Sequence, residues 1–209
     1  MALDLSMLVD PVHTVVVTQE CQKGVIGAEA VLPQLADAAR NSTIPNGATL
    51  LAAARRADVP VVHCVAQRRN DGLGSNHNAR LFMGMLKTGV PLTPGTSAVE
   101  VIDEFGPDPS DVVLSRLHGV GPMGGTDLDA VLRNLGARTI VGIGVSLNVG
   151  MIDFAMDAVN AGYQMVMPRD AVAGVPAAYG EAVLNNTLAL LCTLPSTDEV
   201  VAAWPADGP

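Results

Sequence analysis

The chain has 209 residues, 49% hydrophobic and only 3% aromatic, with a formal net charge of −9 at pH 7. That length suits one domain around a substantial aliphatic core, and a single domain over residues 1–209 is expected. Net acidity without a basic run of five residues excludes a phosphate-clamping nucleic-acid binder, and no apolar stretch of about 18 residues predicts a membrane span.

Residues 1–11 carry neither a basic flank nor a continuous apolar core, since Asp4 and Asp10 interrupt them, so no secretory leader is expected. Short β-branched runs then alternate with longer Ala- and Leu-rich stretches, the pattern of repeated βα units. Strands are predicted at Thr14–Gln19, Pro60–Val65, Asp111–Leu114, Thr139–Ile143 and Gln164–Met167. Their near-continuous Val and Ile content implies burial on both faces, hence a mostly parallel, doubly wound sheet of about six strands in a three-layer α/β/α arrangement. Helices are predicted near Ala30–Arg40, Gly47–Ala57, Asp127–Leu135, Val149–Ala161 and Ala178–Leu191. Thr126 with Asp129 reads as a capping box, as does Ser196 with Glu199, which opens a last helix through Ala203. Gly136 and Gly162 are placed as helix stops. The Pro- and Gly-rich segment Gly89–Pro109 reads as a surface excursion, and the tail after Trp204 is expected to be loose. Cys21, Cys64 and Cys192 are odd in number and widely spaced, which suits a reducing compartment; the cytoplasm is expected.

Ligands of an open parallel sheet bind outside the carboxyl ends of its strands. That rule brings Gln19 and Glu20, Ala66 and Gln67, Ser115 and Arg116, and the segment from Gly144 to Gly150 to one edge.

Several motifs lie at these same positions. Ser115-Arg116 closes one strand, and Gly125-Thr126-Asp127-Leu128 opens a helix. Thr139 to Gly144 leads into Val145 to Met151, and Gly162-Tyr163 begins a strand that ends at Asp170-Ala171. In order and spacing, over most of the chain, these motifs resemble the isochorismatase-like cysteine hydrolases. That family carries a triad of aspartate after the first strand, lysine at the end of the third and cysteine after the fourth. The matching positions here are Glu20, followed two residues on by Gln22, then Arg116 and Gly150. All three are changed, two with charge retained. Glycine has no side chain to form a thioester, so the usual covalent route is closed at that position.

Three readings stay open. In the first, the resemblance to the true isochorismatase branch, which also has glycine at the cysteine position, implies non-covalent vinyl-ether hydrolysis of a small carboxylate-bearing molecule. Glu20 is then the acid or base and Arg116 its partner. Gln67 hydrogen-bonds the substrate, Arg80 or Arg69 forks onto a carboxylate, and Gln22, Ser146 and Val149 complete the binding surface. Burial favours a neutral acid and a nearby guanidinium favours the carboxylate, so both roles stay open for Glu20. In the second, an amide is hydrolysed by another attacking group. Cys21 or Cys64 is one candidate, although Cys21 should face away from the cleft if Glu20 faces it. Water activated by Glu20, with backbone donors near Val149 and Gly150 holding an oxyanion, is another. In the third, the chain keeps the fold as a ligand-binding pseudoenzyme.

No metal site is expected: His13, His63, His77 and His118 are isolated from one another, and a structural zinc needs about four ligands. No cofactor is expected either, because neither Gly142-Ile143-Gly144 nor Gly119-Val120-Gly121 makes a dinucleotide turn after the first strand. The expected partners are a small-molecule substrate and further copies of the chain, as a homodimer or homotetramer.

Overall fold

Residues 4–85, 87, 89 and 91–205 are described by a computed structural model. The tail expected to be loose lies outside the described residues from 206 on, and so does Val90 within the Gly-rich segment.

The β-branched runs form strands where both faces can be covered. These are β1 (Thr14–Gln19), β2 (Val61–Ala66), β3 (Val112–Arg116), β4 (Thr139–Val145), β5 (Gln164–Val166), β6 (Val172–Ala173) and β7 (Cys192–Thr193). All pairings in the sheet are parallel, in the order β3-β2-β1-β4-β5-β7, with β6 beside the end of β4. Central β1 and β4 are buried throughout, as all-parallel strands require, whereas edge strand β3 alternates and leaves Val113 exposed. β6 and β7 were not expected, because two residues are too short to show a pattern.

Helices cover both faces: α1 (Leu5–Leu8), α2 (Lys23–Ile26), α3 (Pro33–Asn41), α4 (Thr43–Arg56), α5 (Arg80–Met85), α6 (Leu128–Asn134), α7 (Gly150–Asn160), α8 (Ala177–Asn186) and α9 (Thr197–Ala203). One core joins Val16, Val141 and Ile143 of the sheet to α3, α4 and α9; the other joins Val15, Val17 and Ile140 to α6, α7 and α8. Because β1 turns out to β2 and β3 on one side and the chain returns to β4 on the other, the switch point lies between the ends of β1 and β4.

Two expectations are corrected. The segment Gly89–Pro109 is no surface excursion: Ala98, Val101, Ile102 and Phe105 are buried, and Val101 bridges Gln22. Two short 3-10 turns, Ser97–Val99 and Asp103–Phe105, the second capped by left-handed Gly106, direct apolar side chains inward. Phe105 packs so closely on α4 that a methyl at Gly47 would stand 2.6 Å from its ring. That contact offsets the cost of about 1 kcal/mol that glycine carries inside a helix. Thr126 and Asp129 do not form a capping box either. Thr126 accepts from the Leu128 amide, but Asp129 is drawn away to Arg133 and the Tyr163 hydroxyl. The Ser196–Glu199 box is present in full, and Gly136 and Gly162 adopt the positive φ of helix stops.

A polar network lies under the α4 face of the sheet. Arg55 meets Asp111 through Nε (3.2 Å) and Nη2 (2.6 Å) and donates Nη1 to Phe105 O at 3.1 Å. Asp111 also bonds the Asp108 amide (3.0 Å) and His63 Nε2 (3.1 Å), and His63 Nδ1 meets Thr18 Oγ1 at 2.8 Å. Burial pushes the Asp111 carboxyl up, but the bonds from Arg55, the Asp108 backbone and His63 outweigh it and leave it below its ordinary value. Burial also holds His63 below the ordinary histidine value against the opposing pull of Asp111. His63 is thus a satisfied core histidine. At the far end of the chain, the buried Trp204 indole donates to Val9 O at 2.7 Å, tying the end of α9 to the turn after α1.

Candidate active site at the carboxyl end of the sheet

The cleft at the switch point has a volume of about 290 Å³, the scale of a small-molecule site. β1 ends at Gln19, and Glu20 turns out of the strand with φ of +54°, a left-handed conformation that costs a non-glycine residue about 1–3 kcal/mol. Its amide donates to Cys64 O at 2.9 Å, which holds the turn against β2. Strand alternation is broken at Glu20, yet Cys21 still points away from the cleft. It is buried and directs its sulfur to Gln19 O at 3.6 Å.

Arg116, the last residue of β3, is buried and brings Nη2 onto Glu20 Oε1 and, at 3.2 Å, onto Val120 O. Its Nε and Nη1 are buried without partners. Glu20 has its other oxygen free of any protein bond among the described residues, and one-fifth of its side chain (20%) is exposed.

Gly150 opens α7 at the same cleft. A β-carbon there would meet Val120 O at 2.9 Å and Gln19 Nε2 at 3.0 Å. Gln19 Nε2 donates to Val120 O at 3.0 Å, so this carbonyl, held from two sides by Gln19 and Arg116, stands over the bare backbone. Sequence reasoning did not assign Gln19 a side-chain role. The signal was present: a lone amide closes an otherwise apolar and threonine-rich strand at the ligand edge.

Of the other expected residues, Gln67, Ser146 and Val149 line the cleft. The Val145–Ser146 peptide is cis. Ser146 O accepts from the amides of both Val149 and Met151 at 3.1 Å, so Val149 is not one of the free donors expected there. Gln22 is corrected. It is fully buried, with Nε2 on Ala66 O and Ala98 O and Oε1 accepting from Ala66 N, so its amide is spent on backbone. Arg80 is also corrected: it sits exposed at the start of α5, outside the cleft lining. Arg69 lines the cleft but closes on Asp71 through bonds of 2.9 and 2.6 Å. Arg68, passed over in the sequence, lines it without such a partner.

No cysteine lines the cleft among the described residues. Burial pushes the Cys64 and Cys192 thiols up to about 12, and burial together with the Glu20 charge pushes Cys21 up further. None is poised as a thiolate. Among the described residues no three His, Cys, Asp or Glu side chains group as metal ligands, and no helix is long and apolar enough to cross a membrane.

A parallel sheet with an acid after its first strand, a cation ending its third and a helix opening after its fourth defines an α/β protein with a switch-point cleft. Its lineage is equally plain: a model of the Isochorismatase domain matches residues 14–199, and the chain belongs to that family. Among solved structures it is similar to a cysteine hydrolase from Pseudomonas syringae (26% identity, 94% of each chain covered, TM-score 0.79). It also resembles an isochorismatase family protein from Burkholderia thailandensis (27% identity, 93% of this chain and 96% of that one, TM-score 0.75). Among curated relatives it is 30% identical over 140 residues to a ureidoacrylate amidohydrolase from Agrobacterium fabrum, covering 62% of this chain and 61% of that protein. It is 29% identical over 129 residues to a secreted isochorismatase effector from Verticillium dahliae, covering 61% and 58%. The matches thus span about three-fifths of these curated relatives' length.

Proposed function

We propose that this chain hydrolyses a small carboxylate-bearing molecule without a covalent enzyme intermediate, by chemistry of the vinyl-ether type, with Glu20 moving the proton. One observation carries the reading. Glu20 is presented on a left-handed turn with one oxygen anchored by Arg116 and the other open to a cleft that no cysteine lines among the described residues. We take Gly150 as the position where the family's nucleophile stands, and Val120 O fills the room its β-carbon needs. In the reaction, Glu20 gives its proton to the vinyl carbon, water adds to the resulting oxocarbenium ion and returns one proton to Glu20, and the hemiketal so formed breaks its C–O bond to leave a ketone and an alcohol that carries the second proton of the water. Arg116 positions the carboxyl group, and Gln67 and Ser146 face the substrate.

The test is turnover of isochorismate, ureidoacrylate and simple amides by the wild-type protein and by Glu20→Gln. Cleavage of a vinyl ether that falls about 100-fold or more in the variant is expected, the usual contribution of a positioned proton carrier. Equal rates in both proteins would remove Glu20 from the chemistry. Turnover of ureidoacrylate alone, lost on thiol alkylation, would replace this reading by thiol-based amide hydrolysis.

A further inference from the structure

The three arginines of the cleft differ in what they touch. Arg69 is spent on Asp71 and Arg116 on Glu20 and Val120 O. Arg68 has no side-chain partner among the described residues, and its Nε is sealed from solvent. Its two terminal nitrogens are neither sealed nor bonded to protein among the described residues, and Arg68 is one of the residues that line the cleft.

The backbone beneath Arg68 is pinned at three successive amides. Ala66 N donates to Gln22 Oε1 (2.7 Å), Gln67 N to Arg116 O (2.8 Å) and Arg68 N to Leu92 O (2.6 Å). Gln22, expected to touch substrate, instead holds the segment from which Gln67 and Arg68 project. Ser75 Oγ, also buried and without a partner, lines the same cleft. An unmade bond from a buried polar group costs about 1–3 kcal/mol, and more for a charged one. The protein offers no carboxylate in exchange: Glu20 is the sole acid in the described lining, and it is held by Arg116. Much of the remaining wall is apolar, including Val31, Leu35, Leu81 and Phe82.

We infer that Arg68 is the anchor for the substrate's carboxylate, with the Ser75 hydroxyl as a second donor and the apolar wall covering the substrate's hydrocarbon body. This deepens the reading of Glu20 as the reacting group and rests on it: the carboxylate is held by Arg68 and the bond to be broken lies at Glu20. The substrate class that fits is a small carboxylate-bearing molecule with an apolar portion, not a neutral amide of the same shape.

The experiment is calorimetric titration with two matched pairs of probes, benzoate with benzamide and hexanoate with hexanamide. The wild-type protein is expected to bind at least one acid about tenfold or more tightly than its amide, as a charge-assisted fork provides. Arg68→Gln removes that preference while leaving amide affinity in place, Arg68→Lys keeps part of it, and Arg69→Gln keeps all of it. If Arg68→Gln does not fold, judged by its thermal transition, Arg68→Lys decides, since a lysine with no loss of preference would remove the fork. Equal affinity for acid and amide in the wild type, an unchanged preference in Arg68→Gln, or binding of none of the four probes would overturn the anchor. Glu20→Gln separates the two proposals: it is expected to keep the acid preference and lose turnover. Retained turnover with retained preference rejects the proton-transfer role alone.

Discussion

Two of the arginine–carboxylate pairs, Arg55 with Asp111 and Arg116 with Glu20, differ in how completely they are satisfied. Arg55 and Asp111 meet through two parallel bonds, the third arginine nitrogen reaches Phe105 O, and Asp111 takes further bonds from Asp108 and His63. Arg116 and Glu20 meet through one nitrogen, leaving two others buried and bare, on a backbone held in a costly conformation. The saturated pair fastens β2 and β3 to α4. The unsaturated pair, at the ligand edge, keeps bonding capacity in reserve, which is what a binding or reacting site requires.

The sharpest way to break this contrast is to delete the saturated acid. Asp111→Ala strands a guanidinium and a histidine, and we expect a loss of about 3–5 kcal/mol in chemical denaturation followed by circular dichroism. Glu20→Gln should lower the same stability by less, because the isosteric amide keeps an oxygen that accepts from Arg116 Nη2. Comparable losses in the two variants would erase the distinction.

Gly150→Cys should come next in size. The new β-carbon collides with Val120 O and Gln19 Nε2, so a cost of about 1–3 kcal/mol is expected, with no gain in amide hydrolysis. Combining it with Gln19→Ala should return part of that stability, and a fully stable single variant that acylates would show that the seat was open. The smallest effect is a slope with pH. His63 titrates lower in the folded protein than in the unfolded chain, so the unfolded state binds the proton first. Its contribution is intact above the unfolded value near ~6.5 and is lost as pH falls through it toward the folded value. Denaturation midpoints from pH 7 to pH 5 should therefore fall less steeply in His63→Asn than in the wild type.

Much of this was legible in the chain. The five longer strands, their parallel direction and the meeting of Glu20, Arg116 and Gly150 followed from β-branched runs and from the ligand-edge rule. What escaped was side-chain direction. Gln22 stands in the expected place, but its amide satisfies backbone, and no periodicity tells an inward amide from an outward one. Arg80 lies in the expected stretch of sequence, yet α5 carries it out of the lining. Arg68 and Arg69 look equivalent as letters; only Asp71, two residues beyond Arg69 in a turn, hints that one of them is already spent. The inward packing of Ile102 and Phe105 was hidden because Pro and Gly report turns and say nothing about which side of a turn faces the core.

The clasp between Trp204 and Val9 O has a practical outcome. The chain's sole tryptophan sits where its two ends are joined, in the core shared by α3, α4 and α9, and it is absent from the cleft lining. Its fluorescence should therefore report the parting of the ends and stay silent when a ligand fills the cleft, giving an optical readout of unfolding that is free of binding.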